Sequence, residues 1–301
     1  MSSALTEPGG ICFKGIGLPS YPWFMILEDL PALSTAIIWA WASIMYGDFM
    51  RRMNPLTVNF LRMFYASIIL LIPALALGLN YGAVWGSLSG LLSLVIGDSL
   101  YLFSINYSGV SIAAPVSYTY IPLTVLFAVF LGEPLTIPKI LASILLIPGV
   151  YLLSRGGSSR REIKGLFLGL GAALAWAVGQ TMIKVADMAG LNPISIAFTR
   201  VATAGVALFI INRLMGNDVT RAIRATMRSH LSVVAVLDLG LGVALFAFSM
   251  DLIGLGLTVI ITGTMPLIAQ VMSSLMGRER FSIIKFLGAL IIVAAIITAF
   301  I

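Results

Sequence analysis

The sequence predicts an all-α integral membrane protein, with ten transmembrane helices arranged as two inverted-topology five-helix repeats. Composition is the first reason. Of 301 residues, 59% are hydrophobic and 10% charged, and mean hydropathy is +1.05, whereas a soluble domain carries about 25% charged residues. A duplicated motif is the second. Asn54-Pro55-Leu56-Thr57-Val58-Asn59-Phe60-Leu61-Arg62 returns as Asn192-Pro193-Ile194-Ser195-Ile196-Ala197-Phe198-Thr199-Arg200, 138 residues later. Each copy opens an apolar run with a proline, where a missing N–H costs nothing, and sets an arginine two turns further in. The third is the number of apolar segments, odd in each half, which obliges the second half to enter the membrane from the opposite side.

In chain order, residues 1–29 read as an N-terminal tail containing Lys14, Pro19 and Pro22; a signal peptide needs a basic start and an unbroken apolar core instead. Apolar segments follow at 30–47, 55–78, 84–107, 109–131 and 136–154, then at 165–186, 193–214, 231–251, 255–277 and 282–301. Each holds about 17 to 25 residues, enough to cross a bilayer as a helix. Residues 30–154 form the first repeat, 155–164 a basic linker and 165–301 the second repeat. Connections such as Asn80-Tyr81-Gly82 and Gly132-Glu133-Pro134 are short and rich in turn residues.

The duplication extends along both halves. Ala40-Trp41-Ala42 matches Ala175-Trp176-Ala177, and Gly97, Ser104 and Gly109 match Gly242, Ser249 and Gly254 at a constant offset of 145. Pro122 answers Pro266, and the turn at Gly132-Glu133 answers Gly277-Arg278-Glu279. Glu133 and Glu279 each precede a lysine, Lys139 and Lys285, by six residues, which suggests a repeated local tie. Inverted repeats of this kind are typical of secondary transporters, whose site lies near the midplane between the halves.

Other chemistries lack their residues. Cys12 and His230 are single, so there is no disulfide framework and no His/Cys set for a metal; neither a cofactor nor a catalytic residue is expected. The net charge of +6 resides mostly in loops and reads as a topology signal, not as a nucleic-acid surface. An intramembrane aspartyl protease is the enzyme alternative. Gly97-Asp98 follows Val95-Ile96 and Asp238 follows Leu237, so its motif fails at both sites. A channel would need a ring of like groups, and nothing repeats four-fold.

With the Trp-containing first helix of each half, the Asn-Pro then Arg pattern, Pro122 and Pro266, and the Gly-Glu turns, the chain resembles the drug/metabolite transporter superfamily, specifically its ten-helix EamA-like members. That resemblance covers residues 30–301. It implies ten helices in two inverted halves, alternating access, and transport of small metabolites such as amino acids or similar amphipathic solutes, often outward. Phosphorylated or nucleotide-linked solutes are the alternative substrates. The partners expected are a small-molecule substrate, the lipid bilayer and, for coupling, protons; oligomeric state is not readable.

Intramembrane charge is costly, so charged and polar stripes mark the candidate site. Asp98 and Asp238 are the coupling candidates. Trp39, Ser43, Asp98, Tyr101, Tyr118, Trp176, Gln180, Thr262 and Gln270 are the cavity candidates, taken from helical spacing on the apolar segments. Pro115, Pro122 and Pro266 are helix-bend candidates. Arg62 and Arg200 are placed either to pair structurally or to contact an anionic substrate. Loop arginines such as Arg51, Arg52, Arg213, Arg221 and Arg224 put those loops in the cytoplasm and both termini outside by the positive-inside rule, whereas the resemblance implies cytoplasmic termini.

Overall fold

A computed structural model of the chain describes residues 22–50, 52–108, 110–153, 163–277 and 283–299. The first part of the expected tail, most of the linker, Gly109 and Glu279 lie outside these. The described elements are all helical: α1 (Pro22–Met50), α2 (Pro55–Leu77), α3 (Gly82–Ser89), a π-helical segment (Gly90–Gly97), α4 (Asp98–Ser108), α5 (Val110–Ser117), α6 (Tyr120–Phe130) and α7 (Ile137–Leu153). Then follow α8 (Ile163–Met188), α9 (Pro193–Leu214), α10 (Val219–Thr226), α11 (Leu231–Ala235), a second π-helical segment (Val236–Gly242), α12 (Val243–Thr262), α13 (Met265–Leu275) and α14 (Ile283–Ala299).

Seven helical stretches among the described residues are long and apolar enough to cross a membrane, and three shorter apolar helices, Ile137–Leu152, Met265–Leu275 and Phe286–Ala299, accompany them. Large apolar side chains face outward all around; Ile72, Phe130 and Leu275 are 76%, 85% and 83% exposed. In water that surface would aggregate, and in lipid it is solvated.

Both copies of the duplicated motif start a helix in the same way. Asn54 and Asn192 each accept from the backbone N–H two residues on, Leu56 and Ile194, at 2.9 Å, and the proline between occupies the first helical position. The two helices then pack side by side and run antiparallel. Ser195, near the start of α9, donates to the Gly78 carbonyl just past the end of α2 at 2.9 Å. Asn212, near the end of α9, donates to the Leu56 carbonyl at 3.2 Å and accepts from Thr57 at 2.8 Å, both at the start of α2.

The first helix of each half crosses to the other half. A Cβ on Gly242 would lie 2.8 Å from the Trp39 indole nitrogen, and one on Gly97 would lie 2.6 Å from that of Trp176. Only glycine admits these rings. The spatial counterpart of Trp176 is thus Trp39, not Trp41 of the Ala-Trp-Ala match, because position 39 is the one turned toward the opposing glycine. Both glycines end the π-helical segments, whose wide turns loosen the regular hydrogen-bond ladder. Side chains take up carbonyls there: Asn59 donates to Leu94 O at 2.9 Å, and Trp39 to Asp238 O at 3.2 Å.

Several expected boundaries shift. The first helix starts at Pro22, inside the stretch read as tail, because Glu28 and Asp29 interrupt the hydropathy without interrupting the backbone. The predicted 109–131 and 255–277 helices are each broken, at Tyr118–Thr119 and Gly263–Thr264. Pro122 and Pro266 fall in the first turn after each break, where their missing N–H is harmless, so they start a helix more than bend one. Pro115 remains inside α5.

Glu133 does not tie to Lys139, which donates instead to Pro134 O at 3.3 Å. Its carboxylate accepts from the backbone N–H groups of Leu255 and, at 2.9 Å, Gly256. These are the first free donors after Gly254, whose φ of 82° breaks α12 and suits a residue without a Cβ. Glu133→Ala leaves both donors without their cap and is expected to cost about 1 to 2 kcal/mol, read as a lower melting temperature in detergent or nanodiscs. An unchanged melting temperature contradicts the capping role.

Candidate functional site

The helices enclose a cavity of about 310 Å³. α1 contributes Trp39, Ser43 and Tyr46; α2 contributes Asn59 and Arg62; the π-helical segments contribute Ser93 and Asp238; α4 contributes Asp98 and Tyr101. Tyr118 comes from the break before α6, Tyr120 from the start of α6, Trp176 and Gln180 from α8, and Arg200 from α9. The site draws on both copies of the duplicated motif, since Arg62 and Arg200 are their closing residues.

Charge is unevenly arranged. Arg62 donates to Asp238 Oδ2 at 2.9 Å and to Asn59 Oδ1 at 3.2 Å, and lies 3.7 Å from Asp98 Oδ2. Its guanidinium carbon sits 4.4 Å from the centre of the Tyr46 ring, whose hydroxyl donates to the same Asp238 oxygen at 2.8 Å. Asp98 accepts from the Trp176 indole N–H at 3.0 Å. A lone charge at bilayer depth costs about 2.5 to 3.5 kcal/mol on insertion scales, and this cluster supplies both signs and the hydrogen bonds that lower that cost.

Arg200 is placed differently. It is 2% exposed, and its Nε and Nη1 are buried with no hydrogen-bond partner among the described residues. Gln180 Oε1 and Ser93 Oγ are buried without a partner as well. Aromatic rings line the same cavity. Trp176 packs with Tyr101 at 5.2 Å and edge-on to Tyr120 at 5.8 Å between ring centroids, and Tyr120 packs edge-on to Tyr118 at 5.9 Å.

The sequence candidates divide accordingly. Trp39, Ser43, Arg62, Asp98, Tyr101, Tyr118, Trp176, Gln180, Arg200 and Asp238 line the cavity together. Thr262 and Gln270 do not. Thr262 bonds the Thr258 carbonyl of its own helix at 2.9 Å and stands behind the lining, with its side chain against Tyr120, and Gln270 donates to Ser274 at 3.3 Å, so most of the polar spacing along α12 and α13 is spent outside the cavity. Likewise Ser104 and Ser108 continue the Asp98–Tyr101 spacing, yet they pack on α8, where Ser104 donates to Gly165 O at 2.7 Å. Asn59, Ser93 and Tyr120 are cavity residues that sequence reading missed, whereas Tyr46 completes the helical spacing of Trp39 and Ser43, for which interface anchoring is the equal alternative. Asn59 carried a usable signal, since it stands one turn before Arg62 on the same helical face.

Compared with known proteins, the chain matches the EamA-like transporter family over residues 26–155 and again over 163–301. A relative from Archaeoglobus fulgidus, described as an uncharacterized transporter, is 29% identical over 280 residues, covering 90% of this chain and 97% of its own. A protein solved by crystallography superposes with a TM-score of 0.73 at 17% identity, over 91% of this chain and 97% of that one, a likeness of fold alone. With two matches that together span nearly the whole chain and apolar helices of membrane-crossing length, this protein belongs to the EamA-like transporter family and is a multi-pass membrane transporter.

Proposed function

We propose that the protein is a secondary active transporter of small amphipathic solutes, such as amino acids, working in the export direction by alternating access. In this reading ten membrane helices form two inverted five-helix halves, and the cavity between them holds the solute. The observation that carries it is the lining itself: aromatic rings together with a cluster of buried charge, drawn from both copies of the duplicated motif and large enough for a small metabolite. The antiparallel packing of α2 on α9 supports the inverted arrangement, since these helices carry the duplicated motif. A phosphorylated solute is less well served. Arg62 is held by Asp238, which leaves Arg200 as the one unpaired guanidinium in the lining among the described residues, where a dianionic phosphate calls for several.

The two aspartates take different parts. Asp238, with 6% of its side chain exposed, is the structural counter-ion of Arg62; Asp98, with 21% exposed and 3.7 Å away, is free to exchange partners and is the proposed proton-coupling group. Removing Asp238 strands a buried guanidinium. Asp238→Asn is therefore expected to cost about 3 kcal/mol in unfolding measurements, and Asp98→Asn less than half of that. Equal losses would contradict the division.

Counterflow in proteoliposomes, with a mixed panel of amino acids and other small metabolites, tests the transport reading. At least one amphipathic solute is expected to exchange, with stimulation by an imposed proton gradient that disappears in Asp98→Asn. Exchange of no solute by folded protein contradicts a carrier of this class, and stimulation retained in Asp98→Asn removes the coupling role.

A further inference from the structure

We infer that Arg200 is the anion-binding group of the cavity, and that the solute carries a carboxylate seated against it beside Ser93 and Gln180. This reading of Arg200 rests on the transport function proposed above and narrows its substrate to a chemical class.

Arg62 and Arg200 close the two copies of one motif, yet among the described residues only Arg62 has hydrogen-bonded partners. Around Arg62 stand Asp238, Tyr46 and Asn59, with Asp98 3.7 Å away. At the matching places around Arg200 the chain has Ser93 for Asp238, Ile183 for Tyr46 and Ala197 for Asn59. The first follows from the offset of 145, the second from aligning Trp39 with Trp176, and the third from the motif itself. Two of the replacements cannot accept a hydrogen bond from a side chain, and the third is an uncharged hydroxyl with its oxygen unpartnered. The bonded carboxylate, phenol and amide of the first arginine thus have no counterpart around the second, and Asp98 is the one carboxylate whose field reaches both arginines among the described residues.

The backbone that carries Arg200 is held in place. A Cβ on Gly90 would lie 2.2 Å from the Arg200 carbonyl oxygen, so the π-helical segment rests directly on its backbone. A buried guanidinium with donors left over, in a cavity that also holds an orphaned hydroxyl able to donate, is a receptor for a planar anion, while the orphaned Gln180 Oε1 can only accept and suits a donor on the same solute. The charge balance adds a condition. The empty lining holds Arg62 and Arg200 against Asp98 and Asp238 and is neutral, so a bound carboxylate needs one compensating positive charge. That charge is an ammonium on the solute itself or a proton taken up by Asp98.

Three probes with the same apolar body separate these requirements: leucine, 4-methylpentanoate and 3-methylbutylamine. Binding of each is measured by equilibrium titration of purified protein in nanodiscs, which needs no flux. Leucine and 4-methylpentanoate are expected to bind and the amine to bind far more weakly. If a proton compensates, 4-methylpentanoate tightens as pH falls while leucine changes little. Arg200→Gln is expected to weaken both acids about ten-fold or more, with Arg200→Lys between it and the wild type. Ser93→Asp, which sets a carboxylate at the place matching Asp238, is expected to weaken the acids comparably, its melting temperature checking that the close packing of Ser93 on Gly179 survives; it carries the test if Arg200→Gln does not fold. The assignment is overturned if neither acid binds the wild-type protein, if the amine binds as tightly as the acids, or if Arg200→Gln and Ser93→Asp leave acid binding unchanged. Acid binding without any counterflow would keep the site and remove the carrier, whereas counterflow of solutes lacking a carboxylate would keep the carrier and remove the site.

Discussion

A charge inside hydrocarbon must find its partner within the protein, and Arg62 is where this chain concentrates that demand. Its guanidinium gathers Asp238 from the second half, Asp98 from the start of α4, Asn59 from its own helix and the Tyr46 ring from α1. Those residues sit on separate elements, so the cluster fixes where four helical segments meet. The cavity is the space left beside that junction. Helix association in lipid gains little from burying apolar surface, which gives such polar junctions, and the close approaches made by small residues, more weight than they would have in water.

Several contacts around the cluster come in matching pairs, but the charge beside them does not. Trp39 reaches Gly242 and Trp176 reaches Gly97, each indole lying against the end of a π-helical segment of the other half. Asn54 and Asn192 cap their helices alike. Against that background Trp39 donates to a backbone carbonyl and Trp176 to the Asp98 carboxylate, and one motif arginine is paired while the other is not. The duplicated motif supplies matching contacts, and divergence around its two copies supplies a cavity with one anchored cation and, among the described residues, one open cation.

How much of this could be read from the sequence depends on the distance over which the responsible interaction acts. The membrane class and the duplicated motif are local properties, visible in hydropathy and in nine consecutive residues. The co-lining of Asp98, Tyr101, Trp176 and Gln180 was also within reach, because polar residues in an apolar helix must turn toward one another. The same rule failed for Thr262, where the hydroxyl satisfies itself on its own helix, an outlet short side chains have and long ones lack. Trp41 and Trp39 could not be told apart by matching Ala-Trp-Ala, since the deciding contact is with a glycine some 200 residues away. Glu133 looked like a turn residue for a similar reason: its partners are the backbone groups exposed by a break at Gly254, and a backbone break leaves only a glycine as its trace.

The proposed cycle requires that one cavity open in turn to each face of the membrane. Ser43 and Gln180 line it from opposite halves, and Cys12 is the only native thiol, so a Cys12→Ser background carrying Ser43→Cys or Gln180→Cys reports access directly. The measurement is the labelling rate with a membrane-impermeant thiol reagent, applied separately to right-side-out and inverted vesicles. Alternating access predicts that each cysteine is labelled from both faces, and that a proton gradient raises the rate on one face as it lowers the rate on the other. Labelling confined to a single face under all conditions would contradict it.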